Sequence, residues 1–344
     1  MGNNMPCVQR SSKAQEPKAR HQHSLPSKKT KLSDTYNVSS AILARGAYSV
    51  VRKAVPKPQG LPRGVACCVV KSAHKRSMPL EFRVGFASEM VILKACDHPN
   101  IVRFYDSFED RDELHIAMEL CAGGDLWAYV QERRHPSEVE CALVMKPVLE
   151  AVLYLHERKH IAHRDLKLEN LLLKSAVEDL ATNTVKVSDM GFARRFTPGV
   201  ASFTLICGTK GCMAPEVESG LRPYDEKCDI WSCGVILFEM LCGQVQSCSE
   251  LPWASKRLGA RGAKALLQTM CHKNPCKRVS AREALQAAWW GVLEDRCRQT
   301  ADDCTAGCEE NSHSLCVEPK SEPRSSAAQD TGLRRLLSRL HFLS

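Results

Sequence analysis

The feature that most constrains this chain is a change of hydrophobic rhythm inside one nearly unbroken apolar stretch. From Tyr36 to about Gly291 apolar residues recur almost without interruption, first with strand character and then with helical character. "NVSSAILARGAYSVVRKAV" and "VACCVVKSA" are rich in small and β-branched residues and are punctuated by Gly and Pro. "EFRVGFASEMVILKAC" then places Phe86, Met90 and Leu93 on one helical face, and "IVRFYDSF" and "LHIAMEL" complete a small sheet. From Asp125 onward helices dominate, including "LVMKPVLEAVLYLHE" and "DIWSCGVILFEML". The expectation is an α+β architecture: a small β-rich lobe with one main helix, a larger helical lobe, and a ligand-sized cleft between them.

The flanks differ in composition. Residues 1–35 are polar, basic and poor in aromatics, which predicts a disordered tail. "DDCTAGCEENSHS" and "KSEPRSSAAQDTG" read as linker. The chain thus divides into 1–35, a core of 36–291 (small lobe 36–120, large lobe 121–291), and a Cys-containing segment 292–344 that ends in a basic amphipathic stretch. With 44% apolar and 25% charged residues the core has the balance of a soluble globular protein. The net charge of +9 gathers at the ends, in "KKTK" (Lys28 to Lys31) and "LRRLLSRL" (Leu333 to Leu340). Such tails suit acidic partners but are commonly just solvated. No nucleic-acid partner is expected, no apolar run is long enough to span a bilayer, and no secretory signal precedes the first apolar block. Most of the 18 cysteines sit singly in apolar runs, as Cys68, Cys141, Cys233 and Cys242 do, which fits a reducing cytoplasmic or nuclear compartment. The run from Cys297 to Cys316 has enough thiols for zinc but lacks a C-x-x-C pair.

Chemistry concentrates in "IAHRDLKLENLLL", where Asp165, Lys167 and Asn170 bring a carboxylate, an ammonium and an amide into one loop. Those groups suit a transferring phosphoryl group and its metal. Downstream, "VKVSDMGFA" ends a strand-like run in Asp189, a second carboxylate placed for a divalent cation. Upstream, the turn in "LARGAYSVVRKA" contains Gly46 and can present backbone N–H groups to phosphates. Lys71 ends an apolar strand, and Glu89 lies on the inner face of the next helix, where it can hold that lysine. Singly, each has an ordinary reading: Asp165 as a cap, Lys71 as a surface lysine.

Together and in this order, the residues resemble the eukaryotic protein kinase family. The resemblance covers the glycine-rich turn, Lys71, Glu89, "HPNIV", "HRDLKLEN", "DMG", "GTKGCMAPE", "DIWSCGVILFEML" and Arg278. It implies the bilobal kinase fold, ATP and Mg2+ as cofactors, and Ser/Thr hydroxyls of proteins as substrates. It further implies that Ala44, Gly46, Ser49, Val51, Val69, Lys71, Glu119, Cys121 and Asp125 line the nucleotide site, with Glu89 pairing to Lys71. Asp165 would accept the substrate proton, Lys167 steady the γ-phosphate, and Asn170 and Asp189 hold the metal. Thr209 would pack on Asp165 and Lys167, as in serine/threonine kinases. Asp125 and Glu169 match acids that face basic residues upstream of the target, although Asp125 also matches the ribose-binding position. His163, Met190, Phe104 and Leu93 read as stacked core. Glu216 and Arg278 read as a structural ion pair, and Asp229 as a tie for the catalytic loop. "HRDLKLENLLL", "GFARRF" and "CGTKGCMAPEV" are most similar to the calcium/calmodulin-dependent group, with testis-specific serine kinases among its relatives.

Departures from the family pattern are equally specific. The glycine-rich turn reads Ala44-x-Gly46-x-x-Ser49-x-Val51, with one glycine where the family has three. Val69 replaces a usual Ala, and Met190 a usual Phe. The run "CGQVQSCSELPWASKRLGARGAKALLQTM" is shorter than the family's, which predicts a curtailed large lobe. These leave a second expectation beside the active enzyme: a nucleotide-binding scaffold with little or no catalysis. Ser202 and Thr204 lie where activating phosphorylation occurs in the family, with Arg164 as the cation that would meet the phosphate. Ser338 lies in "LRRLLS", with Leu at minus five and Arg at minus three. The segment 333–344 also has helical apolar spacing suited to autoinhibition, a regulatory protein of calmodulin type, or a membrane surface. "MGNNMPC" resembles a myristoylation start, with Pro6 against it.

Overall fold

A computed structural model of the chain describes residues 31–58, 65–133, 136–176, 179–243 and 261–293. The small lobe is built on five antiparallel strands: β1 (Tyr36–Arg45), β2 (Ser49–Pro56), β3 (Cys68–His74), β4 (Phe104–Glu109) and β5 (Glu113–Glu119). Their spatial order is β1-β2-β3-β5-β4. Alternation along β3 explains how the sheet is covered on both faces. Val69 and Ala73 join the main core, while Cys68 and Val70 join a smaller cluster with Tyr36, Ala54 and Phe108. Tyr36 meets Phe108 edge-on, with ring centroids 5.6 Å apart.

A short helix, α1 (Leu32–Thr35), precedes β1, so the expected disordered tail is corrected at residues 31–35. Backbone pairing accounts for it: Lys57 donates its N–H to Thr35 O at 2.9 Å and its ammonium to Ser33 O at 2.6 Å. At the other boundary, Val292 and Leu293 still pack on the core, two residues beyond the expected limit.

Helix α2 (Leu80–Ala95) crosses the inner face of the sheet. Phe86, Glu89, Met90 and Leu93 are buried, whereas Leu80, Val84 and Val91 are exposed on the opposite side. A helix apolar on two faces shows little net amphipathicity, so its orientation is set by tertiary contacts rather than by one stripe.

The large lobe is organised around α4 (Glu138–Leu153) and α6 (Lys227–Cys242), with α3 (Leu126–Arg133), α5 (Pro215–Ser219), α7 (Arg261–Met270) and α8 (Ala281–Ala284) around them. Ser137 starts α4 through a capping box with Glu140, a local device worth about 1 kcal/mol. α6 is buried over nearly its full length, as its continuous apolar run at residues 235–238 and its inward Ile230, Trp231 and Cys233 require. At Gly234 it runs so close to the end of α7 that a Cβ there would lie 2.4 Å from Cys271 Sγ. Short strands β6 (Ile161–Ala162) and β9 (Arg194–Arg195) pair, as do β7 (Leu171–Leu173) and β8 (Val185–Val187), framing the loops at the cleft. This is the bilobal α+β arrangement expected from the sequence. The expected shortening of the large lobe falls on residues 244–260, outside the described residues, as do Gly2, the Cys297–Cys316 run, Ser338 and the 333–344 segment. Among the described residues no helix is long and apolar enough to cross a membrane, and Cys68, Cys141 and Cys233 are buried free thiols.

Candidate active site

The floor of the cleft is the loop between β6 and β7, and buried Asp229 of α6 fixes its backbone. One carboxylate oxygen of Asp229 accepts the Arg164 N–H at 2.7 Å; the other accepts the His163 N–H at 2.7 Å and lies 2.8 Å from His156 Nε2. Burial alone would raise the pKa of Asp229, but the His156 contact and the backbone amides outweigh it and hold the carboxyl below its ordinary value. Three charge-assisted hydrogen bonds of this kind contribute about 1.5–3 kcal/mol each. They hold Arg164 in the left-handed region, φ 67°, which a non-glycine residue adopts only under such restraint.

The functional groups hang from this loop. Asn170 donates its amide to Asp165 O at 2.7 Å and to Asp165 Oδ2 at 3.2 Å. Thr209 donates its hydroxyl to Asp165 Oδ1 at 2.8 Å and accepts from the Lys167 ammonium at 2.8 Å. Gly208 makes that approach feasible: its φ is 113°, and a Cβ would lie 2.8 Å from Arg164 O. Ser188 ties the second carboxylate to the same frame, since its N–H and hydroxyl both donate to Asn170 O at 2.9 Å. The His163 ring lies 3.0 Å from Ser188 O. Asp189, at φ 58°, thus projects from an anchored turn.

The roof is supplied by β3 and α2. Lys71 donates to both Glu89 oxygens at 2.8 Å and to Asp189 Oδ1 at 3.2 Å. Burial opposes the lysine's charge, but Asp189 and Glu89 overcome it and raise its pKa above the ordinary lysine value. Lys71 in turn holds the Asp189 carboxyl below the usual range. Val69 shares the inner face of β3 with Lys71, and β3 aligns Lys71 with Val51 of β2. Ala44 pairs with Val51, and the Gly46 N–H donates to Ser49 O at 2.8 Å, closing the β1–β2 turn. No residue from Ala44 to Val51 has positive φ, so Ala44 and Ser49 impose no backbone strain there.

At the back of the cleft, Glu119 is engaged by Lys186 at 2.8 Å and by the Arg103 N–H at 3.2 Å. Burial pushes the neighbouring Cys121 thiol up to about 12. Asp125 caps α3 through Oδ1, which accepts the Ala128 N–H at 2.8 Å, and burial raises its pKa. Glu169 is exposed on a 3-10 turn (Leu168–Asn170), and Ser202 and Thr204 are exposed as well. Leu93, Met190 and His163 are buried, with Phe104 packed at the margin of the same core. Arg278 is buried and doubly paired to Glu216, at 2.6 and 2.9 Å.

Arg164 departs from its expected exposure to a phosphate. Its guanidinium donates to Phe192 O at 2.9 Å and to the Tyr224 hydroxyl at 3.2 Å, and lies 4.7 Å from the Phe203 ring centroid. Sequence reasoning missed Ser188, Phe203 and Tyr224. No local pattern marks them, because each acts on a residue 18 or more positions away.

The comparisons bear on the whole arrangement. The family model for the protein kinase domain matches residues 37–290. Calcium-dependent protein kinase 5 of Plasmodium falciparum (isolate 3D7) is 36% identical over 212 residues, covering 62% of this chain and 35% of that protein. Calcium/calmodulin-dependent protein kinase type II of Caenorhabditis elegans is 34% identical over 275 residues, covering 76% and 36%. Serine/threonine-protein kinase 33 of Mus musculus is 32% identical over 268 residues, covering 72% and 53%. The chain therefore spans between about a third and a half of the length of these relatives. Its motif order, its two-lobed fold and this match agree: the chain belongs to the protein kinase family.

Proposed function

We propose that the chain is a serine/threonine protein kinase that transfers the γ-phosphoryl group of ATP to protein hydroxyls, favouring targets preceded by basic residues. The observation that carries this reading is the joined cluster in which Lys71 pairs with both Glu89 and Asp189 across the cleft, above Asp165 bonded to Thr209 and Asn170. Phosphoryl transfer needs charge neutralisation and in-line positioning rather than covalent help, and the cluster offers both.

Asp165 is set to orient the incoming hydroxyl and accept its proton at the carboxylate. Its Oδ1 is steered by Thr209, while Lys167, 3.7 Å from Oδ2, adds positive charge beside the transferring group. Lys71, kept protonated by two carboxylates, suits the α- and β-phosphates. The donor set also fits magnesium: Asp189 is half exposed, and Asn170 spends its amide N–H on Asp165, leaving Oδ1 without a hydrogen bond among the described residues. Oxygen donors of this kind are what that hard cation takes. Magnesium, when bound, supplies neutralisation of phosphate charge. Substrate preference rests on Glu169, exposed at the cleft floor, and on Asp125, whose second oxygen is left by the α3 cap.

Transfer from Mg-ATP to Ser, Thr and Tyr peptide series, with and without Arg at minus two and minus three, tests the reading. Ser/Thr peptides with upstream Arg are expected to accept phosphate best. Equal transfer to Tyr peptides, or indifference to Arg, contradicts the substrate assignment. Nucleotide binding without any transfer instead supports the scaffold reading that the substituted glycine-rich turn suggests.

A further inference from the structure

Arg164 carries its charge into a buried site where its partners are a carbonyl, a hydroxyl and a ring. Two of those partners, Phe203 and Tyr224, are themselves joined. Phe203 N–H donates to Tyr224 O at 3.0 Å, and Tyr224 N–H donates to Phe203 O at 2.9 Å. Their rings are tilted together, with centroids 5.5 Å apart. The Tyr224 hydroxyl accepts from Arg164 and donates to Leu205 O at 2.7 Å. The chain of contacts therefore runs from the residue before Asp165, through two aromatic rings, to a point four residues before Thr209.

The same bridge fixes where a phosphate on this segment would lie. Extended backbone sends neighbouring side chains to opposite sides. Phe203 is buried against Arg164, while Ser202 and Thr204 on either side of it are exposed. A phosphate on either hydroxyl faces away from Arg164 unless the Phe203–Tyr224 bridge is undone. The ring face already supplies the negative potential that a guanidinium seeks, and burial strengthens that attraction.

We propose that Phe203 and Tyr224 are positioning residues: they hold Arg164 and residues 203–209 in working place without phosphate on Ser202 or Thr204. The proposal rests on the phosphotransferase reading for its effect on rate, but its structural content is independent of turnover.

The experiment uses full-length protein treated with phosphatase, with loss of phosphate at Ser202 and Thr204 verified by mass. Hydrogen exchange across residues 203–209 is read beside kcat and the KM for ATP, using an Arg-containing Ser peptide. Dephosphorylated wild type and the Ser202→Ala/Thr204→Ala variant are expected to stay protected and to keep kcat within about twofold of untreated protein. Phe203→Leu, which keeps apolar bulk but loses the ring face, is expected to lose that protection. It should also lower kcat about tenfold or more at unchanged KM for ATP, the mark of a misplaced rather than missing group. Phe203→Tyr, which keeps the ring, is expected to restore both. Where Phe203→Leu fails to fold, Tyr224→Phe decides, since it removes only the hydroxyl and should loosen exchange around Leu205. Loss of protection in dephosphorylated wild type overturns the proposal, as does wild-type exchange in both Phe203→Leu and Tyr224→Phe. Protection that follows this pattern in protein that transfers no phosphate leaves the proposal standing and removes the phosphotransferase reading instead.

Discussion

The floor and the roof of the cleft are held in different ways. On the floor, Asp165 is fixed through its own side chain, its backbone neighbours and Thr209, and the loop is anchored on buried Asp229. On the roof, Lys71 is held by ion pairs to Glu89 and, across the cleft, to Asp189, and Glu89 sits on a helix that buries Phe86, Met90 and Leu93 but leaves Leu80, Val84 and Val91 exposed. The side chain of Asp165 is thus restrained by its own loop and Thr209, whereas Glu89 is tied to the site through Lys71. Substitutions in the two halves should therefore fail in different ways.

The largest effect is expected at the floor's chemical centre. Asp165→Asn should lower kcat by about 10²–10⁴, the range for losing a general base, with the melting temperature little changed and Mg-ATP binding retained. A residual rate within tenfold of wild type would remove Asp165 from its proposed role. Glu89→Gln should cost about 10²-fold in kcat/KM, because it releases Lys71 without emptying the site. The sharper prediction is that this variant keeps its stability, whereas Asp229→Asn should lose about 3 kcal/mol in denaturant unfolding as well as activity. If both variants unfold alike, the contrast between floor and roof is wrong.

The Asp229 difference also carries a pH signature. Its carboxyl is held below the ordinary value in the folded state. Its contribution is therefore complete above the unfolded-state pKa and disappears as pH falls through the lower folded-state value. The stability gap between wild type and Asp229→Asn should be widest near neutral pH and should close in acid; a gap that widens in acid would reverse the assignment. The smallest effect is expected at Val69→Ala on the roof, where removing two methyl groups should change the KM for ATP by about threefold or less and leave kcat alone. A large loss of kcat there would mean that Val69 sets the position of Lys71 and does more than bound the pocket.

What the sequence made legible follows from range. Asp165, Lys167 and Asn170 share one short loop, and Lys71 and Glu89 follow each other on consecutive elements, so their order along the chain, matched to the family it resembles, nominates them. The strand alternation of β3 likewise separates Val69 and Lys71 from Cys68 and Val70 before any contact is known. The contacts of Arg164 were not legible: Phe203 and Tyr224 are 39 and 60 positions away, and only the fold brings them to its guanidinium. The backbone of the glycine-rich turn was not legible either: with one glycine where the family has three, it still closes with ordinary dihedrals and needs no left-handed residue. The helix at Leu32–Thr35 is a single turn in which Asp34 accepts the Lys31 N–H, and it was hidden because the rest of its support comes from Lys57 at the end of β2.

The most direct measurement is phosphate transfer from Mg-ATP to an Arg-containing Ser/Thr peptide by purified wild type, run beside Asp189→Asn, with nucleotide binding measured on both. The account predicts transfer by wild type and its loss in Asp189→Asn, which should still fold and bind nucleotide more weakly when magnesium is present. Equal transfer by the two proteins, or none by folded wild type that binds Mg-ATP, would contradict it.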